Sequence, residues 1–179
     1  QMAQDYVKVL KALQTPFKVI GRGKNSAVSF ESAMEISVQT GGIEKALQKE
    51  VPPETAIIAV GVEQLASVSS KLLQAGTKRI LLEKPGGMNL KELQNIQSKA
   101  ESKQAEVWLA YNRRFYEATR KAQEIIQEDG GATSCHFEFT EWSHKIRELE
   151  GKTDIKAVWF LANSTHVIDL AFHLCGWPS

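Results

Sequence analysis

The sequence is short of nearly everything that would mark a specialised class of protein. It has 2 cysteines, Cys135 and Cys175, far apart in the chain and without metal-ligand spacing. They are expected to be reduced, buried thiols of a cytoplasmic protein. Neither charge is in surplus, since 22 basic and 21 acidic side chains leave a formal net charge of +1. That balance cannot neutralise a phosphate backbone, so nucleic acid is not an expected partner. No apolar run approaches the roughly 20 residues that cross a bilayer, so no membrane partner is expected either. The opening Gln1-Met2-Ala3-Gln4-Asp5-Tyr6 lacks the basic region and apolar core of a secretory signal. No repeat or low-complexity tract occurs. What remains is ordinary: 179 residues, 42% hydrophobic and 24% charged, suit one well-cored domain or one domain and part of another.

Hydrophobic periodicity then divides the chain. Tyr6, Val7, Val9, Leu10 and Leu13 lie at helical spacing over Gln4 to Leu13, and Gln14-Thr15-Pro16 stops them. Phe17-Lys18-Val19-Ile20 reads as a short strand ended by Gly21-Arg22-Gly23-Lys24. Phe30 to Ile36 is helical or mixed, and Ile43 to Lys49 is a short helix before Pro52-Pro53. The unbroken run Ala56-Ile57-Ile58-Ala59-Val60 predicts a strand buried on both faces. A helix from Gln64 to Gln74, closed by Gly76, leads to a second buried strand, Arg79-Ile80-Leu81-Leu82, which runs into Glu83-Lys84-Pro85-Gly86-Gly87. Asn89 is placed to cap a helix over Leu90 to Ser102, and Glu106 to Ala110 is the next strand. Helix and strand alternating at this pitch predict the α/β class, a parallel doubly wound sheet wrapped by crossover helices.

Beyond Arg114 the pattern changes. Tyr116 to Gln127 is strongly amphipathic, and Asp129-Gly130-Gly131 ends it. Ser134 to Glu141 alternates, with Cys135, Phe137 and Phe139 against His136, Glu138 and Thr140, which predicts a strand with one exposed face. His144 to Lys156 is charged and loop-like, and Ser164 to Leu174 is a helix. The boundaries that follow are 1–114 for a Rossmann-type unit and 115–179 for the start of an α+β domain. One strand and one helix cannot bury a sheet face, so the second unit is expected to be incomplete.

Three sets of residues carry a family resemblance: Glu83-Lys84-Pro85 at the end of a buried strand, Ala110-Tyr111-Asn112-Arg113-Arg114-Phe115 after the next strand, and Asp169 with His173 on a later helix. In this order and spacing the chain resembles the glucose–fructose oxidoreductase, inositol dehydrogenase and rhizopine-catabolism (Gfo/Idh/MocA) family along essentially its whole length. The resemblance implies a nicotinamide cofactor on a Gly-x-Gly-x-x-Gly/Ala turn, with Ala3 in its last position and the first strand and leading glycines upstream of Gln1. The sequence shown holds no such turn, and an ordinary helix start is the alternative. The resemblance further implies that the nucleotide passes Gly61, and that Glu83 and Pro85 border it. The Lys84–Pro85 peptide bond is often cis in the family.

The end of the second expected strand bears on which cofactor. Enzymes that select NAD place an acidic residue there for the ribose 2′-hydroxyl. Here the stretch is Gly21-Arg22-Gly23-Lys24-Asn25-Ser26. Arg22 is suited to clamp a 2′-phosphate, with Lys24 and Ser26 adding charge and a donor, or these side chains simply face water. Their strand-end position favours the first reading, hence NADP(H), with NAD(H) as the alternative.

Oxidation of an alcohol needs a group to take the hydroxyl proton and a positive charge to hold the developing alkoxide. The resemblance assigns Lys84 to the substrate hydroxyl, His173 to acid/base work, and Asp169 to binding substrate or steadying His173. Asp169 and His173 are i and i+4 on one helix face, and His166 shares that face. His166 either binds substrate or helps start the helix. Tyr111 and Asn112 are expected near the nicotinamide pocket; Arg113 and Arg114 can bind a phosphate, carboxylate or sugar hydroxyls, or one of them pairs with an acidic helix residue, and Arg113 is carried as the substrate-binding candidate. No metal is expected, since this reaction needs none. The whole implies hydride transfer between NADP(H) and a secondary alcohol or ketone of a sugar, polyol or nucleotide sugar. The full-length form is expected to be a homodimer or homotetramer. The alternative is a nucleotide-sensing regulator that acts through a protein partner.

Overall fold

The computed structural model describes residues 2–148 and 156–177. The elements follow in the order α1 (Met2–Ala12), β1 (Val19–Gly21), α2 (Lys24–Met34), β2 (Val38–Thr40), α3 (Gly42–Lys49) and β3 (Thr55–Ile58). Next come α4 (Val62–Ala75), β4 (Arg79–Leu82), α5 (Leu90–Lys103) and β5 (Glu106–Leu109). A 3-10 turn (Asn112–Phe115), α6 (Glu117–Glu128), α7 (Ser143–Glu148), a π-helical turn (Phe160–Ser164) and α8 (Thr165–Cys175) complete the described chain.

All strand pairs are parallel. β4 lies between β3 and β5, with Ile80 opposite Ala56 on one side and Val107 on the other. β1 pairs with β2, Val19 opposite Val38, and this ladder is separate from the first. The steps β3–α4–β4 and β4–α5–β5 run in the same direction across the sheet, so right-handed crossovers place both helices on one face. There Ile58, Ile80 and Leu82 pack with Leu65, Leu72 and Leu73 of α4 and Ile96 and Ala100 of α5, and this cluster is the core. Gly76 ends α4 in the left-handed region at φ 111°, and its N–H reaches the carbonyls of Leu72 and Leu73. Asn89 caps α5 as its position predicts, accepting from the Glu92 N–H at 3.0 Å.

Several expectations need correction. β3 is buried on one face only: Ile58 is 2% exposed but Ile57 is 36% exposed. With both crossover helices on the same face, Ile57 and Trp108 on the other are left uncovered among the described residues. β2 has no counterpart in the expected elements, because 3 residues show no period. Ser134 to Glu141 forms neither helix nor strand, and positions 131–140 are exposed. Alternation suits a sheet only where a neighbouring strand supplies the ladder.

The cysteines are neither free nor buried as a pair. Cys135, exposed on that segment, is disulfide-bonded to Cys175 at the end of α8, with Cα atoms 6.0 Å apart. Sequence spacing carries no information about this meeting of remote segments, so the free-thiol argument for a cytoplasmic setting falls. Part of the expected loop from His144 is α7, and 149–155 lie outside the described residues, as do Gln1, Pro178 and Ser179. No described helix is long and apolar enough to cross a membrane.

Candidate active site

In a parallel ladder every strand delivers the chain to the same edge, so the segments after β3, β4 and β5 gather at the carboxyl ends of theirs. The turn after β4 is the most constrained of these. The Lys84–Pro85 peptide is cis, and Pro85 is fully buried. The Gly86 N–H closes the turn onto the Glu83 carbonyl at 3.0 Å. Gly86 has φ +87°, a left-handed conformation that strains any other residue, and a Cβ there would also push aside the tips of Leu109 and Leu93, at 2.7 and 2.8 Å.

Glu83 and Lys84 leave this turn with different partners. Glu83 is 8% exposed, and its Oε1 accepts the Tyr6 hydroxyl of α1 at 2.6 Å. Lys84 is half-buried, and its Nζ donates to the Ala162 carbonyl in the π-helical turn at 2.7 Å. Burial holds the Lys84 ammonium below the ordinary lysine range; Glu83 opposes that shift and Arg113 adds to it.

The π-helical turn leads into α8, whose inward face carries His166, Asp169 and His173. His166 meets the Tyr111 ring edge-on, centroids 5.8 Å apart, and its Nδ1 is buried without a partner. Burial, then the positive charges of Lys84 and Arg113, push His166 down from its ordinary value. Asp169 accepts from Arg114 Nε at 2.8 Å and also from its Nη2. The same guanidinium lies 5.7 Å above the Tyr111 ring. Burial raises the Tyr111 phenol and Asp169 adds to this, against a hydrogen bond with Thr165.

An open cleft of about 390 Å³ runs beside α8, lined by Tyr111, Arg114, Asp169, Phe172, His173 and Trp177 among others. Trp177 stacks on Phe172 at 4.8 Å. A second cleft, of about 360 Å³, is lined by Glu141, Trp142 and Trp159 and contains none of the candidates read from sequence. Two groups thus meet around Tyr111: Lys84, Arg113 and His166 on one side, Arg114, Asp169 and His173 on the other. Helical rise separates His166 from His173 by about 10 Å along the axis.

Asn112 is exposed on the 3-10 turn. Arg113 makes no ion pair among the described residues, and its carbonyl accepts from Thr119 Oγ1. Of the two arginines, the one that pairs with an acidic helix residue is Arg114, which holds Asp169. Of the expected cofactor residues, Ala3 lies in the first turn of α1, and Arg22, Lys24 and Ser26 are exposed where β1 meets α2. Ser26 Oγ donates to the Gly23 carbonyl at 3.0 Å, so its hydroxyl serves the helix start. Gly23 and Gly61 stand at the starts of α2 and α4 with no side-chain cap, leaving backbone N–H groups free there. Tyr6 and Ala162 were not among the residues expected at the site, and nothing in their local sequence marks them.

Similarity to known proteins bears on the fold and the family. The WlbA dehydrogenase of Bordetella pertussis, solved with NADH and UDP-GlcNAcA, superimposes with a TM-score of 0.78 at 12% identity over 98% of this chain and 56% of that one. A levoglucosan dehydrogenase solved with NADH and levoglucosan gives 0.69 at 21% identity, covering 89% and 45% of the two chains. An oxidoreductase domain protein from Kribbella flavida gives 0.68 at 15% identity, over 88% and 43%. At such identities the likeness shows the fold, and the chain spans about half the length of the solved structures it matches. No curated protein sequence matches it. Residues 1–111 match the family model GFO_IDH_MocA, described as an oxidoreductase family with an NAD-binding Rossmann fold. The chain therefore belongs to the Gfo/Idh/MocA oxidoreductase family.

Proposed function

We propose that the protein is part of an oxidoreductase that moves a hydride between NADP(H) and a secondary alcohol or ketone of a sugar, polyol or nucleotide sugar. The observation that carries this reading is the placement of Lys84: a half-buried ammonium at the carboxyl end of β4, hydrogen-bonded into the turn before the helix of Asp169 and His173. Two structural relatives were solved with NADH and a sugar-type ligand, which supports the substrate class.

The residues present fit a dinucleotide. Uncapped N–H groups at the starts of α2 and α4 favour phosphate oxygens, and Ala3, Gly61, Glu83 and Pro85 border the same edge. Arg22 and Lys24, exposed at the end of β1, would hold a 2′-phosphate, while the Ser26 hydroxyl stays with the Gly23 carbonyl. When bound, the nicotinamide supplies the hydride acceptor or donor. The chain supplies the rest. Lys84 holds the alcohol oxygen and its developing charge, while His173 exchanges the proton with solvent through the cleft. Asp169, gripped by Arg114, orients the substrate hydroxyls and His173. Tyr111, Asn112, Arg113 and His166 complete the wall.

Residues 1–114 form the nucleotide unit in this reading and 115–179 begin the substrate unit, with a homodimer or homotetramer as the full-length form. The test is turnover of Lys84→Ala in a chain spanning the full length of its relatives, screened with NADPH against sugars and keto-sugars. A loss of about 100-fold or more is expected. Unchanged kcat would remove Lys84 from the mechanism.

A further inference from the structure

Glu83 and Lys84 are consecutive, oppositely charged and both withdrawn from water, yet they form no ion pair. Each is held elsewhere: the carboxylate by the Tyr6 hydroxyl at 2.6 Å, the ammonium by the Ala162 carbonyl at 2.7 Å. Tyr6 comes from α1, 77 residues away in sequence, and is the only side-chain partner of Glu83 among the described residues. A carboxylate only 8% exposed requires a donor, and a neutral hydroxyl meets that need without cancelling the charge.

We propose that Tyr6 is a positioning residue for Lys84: its hydroxyl anchors the Glu83 carboxylate against α1 and so keeps it from pairing with the neighbouring ammonium. This rests on Lys84 being the group that meets the substrate alcohol. An ammonium that is to hold the developing charge on an alcohol oxygen must not be neutralised and turned aside by a direct Glu83 pair, and such a pair would also raise its titration midpoint. The other charged or titratable groups facing Lys84 are Arg113 from the 3-10 turn and His166 from α8. Arg113 works in the same direction as burial, so Glu83 is the one neighbour whose release would raise the lysine. Tyr6 is itself shifted strongly upward, first by burial and then by Glu83, and stays a donor across the working pH range.

The test reads Lys84 directly in the present chain, by carbon-13 NMR titration of methylated lysines, with the Lys84 signal identified by its loss in Lys84→Arg. Tyr6→Phe keeps the ring and removes only the hydroxyl. Freed of its donor, Glu83 turns to the adjacent ammonium, and the Lys84 midpoint is expected to rise by about 0.5 pH unit or more. Glu83→Gln is expected to lower the midpoint, and in the double variant Tyr6→Phe should add nothing further. A Tyr6→Phe protein that loses thermal stability while Lys84 titrates as before has lost only a structural contact, which overturns the proposal. A downward shift overturns it too. No turnover enters this measurement, so a failure of the catalytic reading in Lys84→Ala is separately visible.

Discussion

Arg114 holds Asp169 with two nitrogens of its guanidinium, across 55 residues of chain, and so joins the 3-10 turn after β5 to α8. The carboxylate is far less exposed than its partner, 11% against 42%, so the pair stands between a surface bridge and a buried one. Removing the arginine strands a mostly buried charge. Arg114→Ala is expected to cost about 1–2 kcal/mol, seen as a lower urea midpoint at pH 7. Arg113→Ala, which breaks no ion pair, should cost less than about 0.5 kcal/mol. Equal costs would mean that the two arginines share Asp169.

Cofactor choice is testable at the end of β1. Arg22 is exposed and forms no ion pair among the described residues, so its charge is available to a 2′-phosphate. Arg22→Asp should weaken NADPH binding by about 10- to 100-fold, the value of one or two charge-assisted hydrogen bonds, and leave NADH within about threefold. Fluorescence quenching by each nucleotide measures both. Equal loss for the two would remove Arg22 from 2′-phosphate recognition.

His166 gives stability a pH dependence of known sign. Burial lowers its folded-state value below 6.5, so between that lowered value and 6.5 the unfolded chain binds more protons than the folded one. Stability therefore rises with pH through this window and is lost as pH falls. His166→Gln should flatten that part of the curve, read as a smaller difference between urea midpoints at pH 5 and pH 7.5. A difference as large as in the parent would place the titrating group elsewhere.

The Cys135–Cys175 bond closes a loop of separation 40 that includes α7 and most of α8. In native protein neither thiol should react with a thiol reagent until a reductant is added. Cys135→Ser should lower stability by about 2–4 kcal/mol. Two reactive thiols in untreated native protein would show that the bond does not form in solution.

Much of the fold is legible because it is written locally. An unbroken apolar run makes Arg79–Leu82 a strand, a left-handed glycine ends α4 at Gly76, and an amide side chain one place before Leu90 starts α5. The catalytic candidates were legible in part for the same reason: Lys84 follows a strand directly, and Asp169 and His173 are one helical turn apart. Ser134 to Glu141 has the alternation of a strand and is not one, because alternation describes a face and says nothing of a neighbour to pair with.

What the sequence determines by itself is the class of fold, the order of most elements, and the placing of Lys84 at the carboxyl edge, since each depends on residues within a few positions of one another. Only the tertiary structure decides that β3 is buried on one face, that Cys135 meets Cys175, that Arg114 and not Arg113 takes Asp169, and that Tyr6 reaches Glu83. These depend on which face the crossover helices cover and on which remote side chains that packing brings together. Two adjacent arginines are equivalent in sequence, and a turn of backbone between them points only one at the carboxylate.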